Sequence, residues 1–143
     1  MASGFRSLPL PAEPGGAKAP AGSAERAARY RPYEALVERV TELDAYAHQV
    51  LHQFPKLERH LLCADIRAGM NDMTRLLVIA WKRRQKNAVL FDLDVAVELM
   101  RHRIRKAYRL GYINVHRLEV WMLHIDEIGR MIGAWIKHEQ GRS

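Results

Sequence analysis

Four stretches of the chain repeat apolar residues at intervals of three and four, the spacing that lines side chains along one side of an α-helix. In the first, Leu36, Val40, Leu43, Ala47, Val50 and Phe54 form one stripe that begins near Pro32, whose missing N–H suits a first helical turn. Pro55 ends that helix and opens the next. The second stretch, about 56–84, turns Leu62, Ile66, Met73, Leu77 and Ala80 inward, with Leu57, Leu61 and Leu76 flanking them, and predicts a helix roughly 40 Å long. Gln85, Lys86 and Asn87 then form a link so short that the next helix must return antiparallel. The third, about 88–110, has the most regular heptad: Leu90, Leu93, Val97, Met100, Ile104 and Ala107. Gly111 is its expected C-terminal cap, and Asn114 the N-cap of a fourth helix, about 115–138. That helix points Leu118, Trp121 or Met122, Ile125, Ile128, Ile132 and Ile136 inward. Long helices with short links predict an all-α, antiparallel up-down-up-down four-helix bundle.

Composition supports one such domain. At 143 residues and 48% hydrophobic content the chain can fill a single core, and no run of alternating Val, Ile or Thr suggests a strand. Residues 7–29 are rich in Pro, Ala and Gly, including Pro9, Pro11, Pro14 and Pro20, and bury too little to offset chain entropy. Residues 1–29 are therefore expected to be a disordered tail, and 30–143 the bundle. Neither a signal-peptide core nor a run of about 20 apolar residues is present, so a cytoplasmic protein without membrane association is expected. Cys63 stands alone, which rules out an intrachain disulfide, and its apolar neighbours predict a buried, inert thiol.

Charge adds a direction. The formal net charge is +7 and the pI about 9.9, which favours a polyanionic partner. Across residues 82–109 stand Lys82, Arg83, Arg84, Lys86, Arg101, Arg103, Arg105, Lys106 and Arg109, opposed only by Asp92, Asp94 and Glu98. Arg101, Arg105 and Arg109 recur every fourth residue and could track phosphates as a ladder; a solvated charged face is the alternative. Lys82, Arg83, Arg84 and Lys86 extend the candidate surface. In the fourth helix Gly129 and Gly133 each cost about 1 kcal/mol relative to alanine, so a close approach of another helix, within the bundle or between subunits, is expected there. Trp135 joins them as a candidate for helix contact or oligomerisation, because three tryptophans exceed what one small core needs.

Catalysis finds little support. No Glu or Asp has a histidine three positions on, so a di-metal site is not expected, and only His48 and His52 sit one helical turn apart, as an exposed pair. Arg117 and His124 have the two-turn separation of metal-independent helical ribonucleases, but Leu118, Trp121 and Leu123 crowd the intervening face. No phosphate loop or nucleophile motif is present, and neither catalytic residue, metal nor cofactor is expected.

The run from Asp126 through Glu127, Ile128, Gly129, Arg130, Met131, Ile132, Gly133, Ala134, Trp135 and Ile136 to Lys137 resembles the closing motif of the accessory variability determinant proteins of diversity-generating retroelements. Phe54-Pro55-Lys56 and the pairs Met100-Arg101 and Ile104-Arg105 support the likeness, which covers roughly residues 33–137. The resemblance implies a bundle assembled into a barrel-like homopentamer that binds the element's reverse transcriptase and its template RNA or cDNA during mutagenic copying. Arg101, Arg105 and Arg130 match basic positions of that pattern. Bundles encoded by intervening sequences of bacterial 23S rRNA genes share the proline hairpin and the Glu-Ile-Gly ending, and offer a stand-alone oligomer as the alternative.

Overall fold

Residues 30–142 are described in the computed structural model; the segment predicted as a tail lies outside them, as does Ser143. Four α-helices follow in order, α1 (Pro32–Leu51), α2 (Leu62–Lys82), α3 (Asn87–Arg109) and α4 (Val115–Arg142), with a short 3-10 helix, Lys56–His60, between α1 and α2. Each of α1 and α3 packs against both α2 and α4, so the four close a square around one core. Leu43, Ile66, Met73, Leu90, Met100 and Ile125 are fully buried there. Burying such a side chain contributes roughly 1.5–3 kcal/mol, which is what holds helices that are marginal alone. Trp121 rather than Met122 takes the inward position, and Leu118 and Ile136, expected inside, are only partly covered. Cys63 is buried, and burial pushes its thiol pKa up.

The α1–α2 connection corrects the second predicted helix. After α1 ends at Leu51, Phe54 is still buried, with its ring 5.2 Å from that of Tyr112. Pro55 adopts an extended ψ of 145°, residues 56–60 make only the 3-10 turn, and Leu61 breaks the helical path before α2 begins six residues later than expected. Leu57 and Leu61 are consequently exposed, Leu57 at 77%. Glu58 replaces the missing helix: its carboxylate accepts the N–H of Leu62 at 3.1 Å and the hydroxyl of Tyr112 at 2.7 Å. This bond ties the α1–α2 link to the α3–α4 link.

At the latter, Gly111 takes a φ of 81°, and Tyr112 donates its N–H back to the Ala107 carbonyl at 2.9 Å, closing α3 with the expected glycine cap. Asn114 accepts the N–H of Arg117 at 2.8 Å, as an N-cap does. α4 runs on to Arg142, four residues beyond its predicted end.

Candidate nucleic-acid interface

Because α2 and α3 are antiparallel, the basic stretch that is continuous in sequence is divided in space. Lys82, Arg83 and Arg84 stand at the α2–α3 link, while Arg105 and Arg109 stand at the far end of α3. From Asn87 to Arg109 the axis spans about 33 Å at 1.5 Å per residue. Instead of one surface there are two basic ends.

At the α2–α3 end Lys82, Arg83 and Arg84 are exposed, and the Lys82 ammonium lies 4.2 Å from the centroid of the Trp81 ring. Lys86, grouped with them in sequence, does something else. Its ammonium donates to the carbonyls of Ala80 at 2.7 Å and Trp81 at 3.3 Å, and to that of Arg83, so it caps α2 and is not open to a phosphate. Beside it is a cleft of about 500 Å³ where both chain-terminal helix ends meet the end of α2. Tyr33 stacks on Trp81 with ring centroids 4.4 Å apart, and Tyr30 lies 4.3 Å from His138.

At the opposite end Arg105, Lys106 and Arg109 are exposed, and the 3-10 turn adds Lys56, Arg59 and His60. Those three were not singled out from the sequence as a basic cluster, since it is the fold, through the Glu58–Tyr112 bond and the Phe54–Tyr112 ring contact, that brings the two links together. The bond from Tyr112, then that from the Leu62 N–H and the charge of Lys106, hold the Glu58 carboxyl below its ordinary pKa.

The arginine ladder loses its first rung. Arg101 donates from Nε to Asp126 of α4 and from Nη1 to Glu98, both at 2.8 Å. Burial pulls its pKa down, but these carboxylates outweigh it and hold the guanidinium above its ordinary value. Gly129 makes room for this group: a Cβ there would lie 2.6 Å from Arg101 Nη2 and 3.7 Å from Val97 Cγ1. The expected close approach at Gly129 is thus real, though a side chain makes it. Within the described chain nothing comes within 4 Å of a Cβ at Gly133, so no helix of its own bundle makes the close approach there. Trp135 is buried and donates to Glu139 at 3.3 Å, so it packs inside the bundle. Arg130 is exposed and paired with the buried Glu127.

Arg117 and His124 do not face a common cleft. His124 is buried against Tyr46, ring centroids 5.6 Å apart, and burial lowers its pKa, while Arg117 bonds to the side chain of Tyr46. His48 and His52 are exposed with rings 5.4 Å apart, and His52 Nδ1 donates to the His48 carbonyl at 3.0 Å. Among the described residues no group of three or more metal-ligating side chains gathers.

A family model described as bAvd-like matches residues 35–139, from the first turn of α1 almost to the end of α4. The chain belongs to the bAvd-like family. This is the accessory variability determinant family whose closing motif the segment 126–137 resembles. No curated protein and no solved structure matches the chain. In this bAvd-like chain Arg101, Gly129 and Asp126 all fall within the matched span, whereas Tyr30, Arg31 and Arg142 at the cleft fall outside it. No helix among the described residues is long and apolar enough to cross a membrane.

Proposed function

We propose that this bAvd-like protein is a non-enzymatic, cytoplasmic accessory subunit of a diversity-generating retroelement, binding the reverse transcriptase and the template RNA or cDNA to support mutagenic copying. The observation that carries this reading is the exposed cation set at both ends of a bundle of this family: Arg83, Arg84, Arg105 and Arg109 have no ion-pair partner among the described residues. Guanidinium groups without a carboxylate are free to take phosphate oxygens, often in bidentate fashion. Assembly into a homopentamer is supported by an apolar stripe on the outer side of α3, where Phe91, Val95 and Leu99 are exposed at successive turns. The non-enzymatic reading is supported by the burial of His124, which leaves the Arg117–His124 pair no access to RNA.

The test replaces Arg105→Ala with Arg109→Ala and, separately, Arg83→Ala with Arg84→Ala, and measures RNA and DNA affinity, reverse-transcriptase capture and cDNA synthesis. Weakened binding and reduced cDNA yield are expected from at least the α3 pair. Unchanged affinity and yield in both double variants would overturn the reading. His124→Ala is expected to change no RNA cleavage, and Val95→Glu to lower the sedimentation coefficient of the assembly.

A further inference from the structure

The cleft at the α2–α3 end is built unlike the rest of the charged surface. Its walls are aromatic: Tyr33 and Trp81 stack almost parallel, at 8°, and Tyr30 leans on His138. Trp81 remains 45% exposed although it ends a helix of the core, and the Lys86 ammonium fixes the backbone beneath it through the carbonyls of Ala80, Trp81 and Arg83. Water gains nothing from a rigid, open indole, and a packed bundle does not need one. Arg31, Lys86 and Arg142 line the cleft, and Lys82, Arg83 and Arg84, which follow Trp81 directly in the chain, are exposed. Of the two carboxylates that line the cleft, Glu139 is engaged by Trp135 and by Arg142 at 3.6 Å, while Glu34 makes no ion pair among the described residues.

Flat π-faces, one unengaged carboxylate and surrounding cations suit a guest that is flat, carries hydrogen-bond donors on its edge and has an anionic tail. We propose that this cleft binds an unpaired nucleobase of a single-stranded nucleic acid, stacked beside Trp81, with its phosphates on Arg31, Arg83 and Arg84. The proposal rests on the nucleic-acid reading above and narrows it to single strands at this end. A duplex keeps its base faces stacked on one another and offers only phosphates, which the opposite basic end can hold equally well. The volume, about 500 Å³, lies in the ~300–1,000 Å³ range of sites that enclose a small planar guest. A cationic guest is disfavoured because cations outnumber carboxylates around the opening. Glu34 repels a phosphate and accepts from an exocyclic amine, so adenine and cytosine fit better than uracil, which has none. Lys82, now over the indole, is displaced by the base and moves to a phosphate.

The test titrates the full-length protein with oligo(A), oligo(C) and oligo(U) RNA of about 12 nucleotides, the span that such surfaces cover, with a duplex of the same length and with adenosine monophosphate. Tryptophan fluorescence and anisotropy are read together, and circular dichroism checks the fold of each variant. Oligo(A) and oligo(C) are expected to quench the fluorescence and to bind more tightly than oligo(U). Trp81→Ala is expected to weaken single-strand binding about tenfold and leave duplex binding unchanged. Trp81→Phe, which keeps a stacking face, is expected to retain most of the affinity while losing most of the quench, because Trp121 is buried and Trp135, which lines the cleft, is only 3% exposed. Glu34→Ala, which removes the acceptor, is expected to erase the preference over oligo(U). Equal losses on single strand and duplex, or tighter binding of the mononucleotide than of the strand, overturn the proposal. An unchanged single-strand affinity in Trp81→Ala, with a loss in the Arg105 and Arg109 double variant, overturns the cleft while sparing the nucleic-acid reading. Absence of any nucleic-acid binding by the wild-type chain overturns both.

Discussion

Two titrating residues divide the response of this protein to acid. His124 is buried and neutral, with Tyr46 against its ring and Glu42 and Arg39 near enough to act on its charge. Its folded pKa lies below the 6.5 of an unperturbed histidine, so the unfolded chain binds the extra proton first. Stability is therefore complete above about pH 6.5 and falls as the pH drops from there toward the folded value. Thermal melts across pH 8 to 5 are expected to show this decline, and His124→Leu to flatten it. Glu58 acts lower. Its carboxyl is held down by the Tyr112 hydroxyl, so its contribution is present above the unfolded pKa and is lost as pH falls through the folded one. Tyr112→Phe is expected to shrink that second, more acidic loss of stability, with the Leu62 N–H still holding the carboxyl, and to leave the first unchanged. Neither role is visible in sequence: Tyr112 and Glu58 lie 54 residues apart, and His124 becomes distinctive only through the ring of another helix.

α4 carries a pair of glycines with different duties. Both cost helix propensity, but only Gly129 has an occupant, the Arg101 guanidinium. Gly133→Ala is expected to stabilise the subunit by about 1 kcal/mol, and Gly129→Ala by less, because it pushes Arg101 off Asp126. Differential scanning calorimetry reads both, and sedimentation shows whether a neighbouring subunit needs the open space at Gly133. Arg101→Ala is expected to lower the melting temperature while leaving nucleic-acid affinity close to that of wild type. The helices themselves were legible, since the apolar stripes of α1, α3 and α4 fall where the period of 3.6 puts them. The start of α2 was not, because Leu57 and Leu61 continue the period numerically while Pro55 and the Glu58 carboxylate impose a turn. An apolar residue in register is still exposed when its backbone leaves the helix.

For the molecule as a whole, net charge and its rough location could be read from the chain, but not which cations are spent. Arg101 and Lys86 are consumed by Asp126, Glu98 and backbone carbonyls, whereas Lys56 and Arg59 join the exposed set from another element. Affinity for RNA is expected to fall steeply with salt, and removal of Arg83 and Arg84 to reduce the logarithmic slope by about 1.4 for single strands, near 0.7 for each phosphate that is no longer neutralised. Isothermal measurements at a series of chloride concentrations check this. α3 also works as a ruler. Its length of about 33 Å is close to one turn of a B-form duplex, about 34–36 Å. A nucleic acid shorter than this reaches only one basic end of a subunit at a time, so the two ends act as separate sites for short ligands and can be joined only by longer ones.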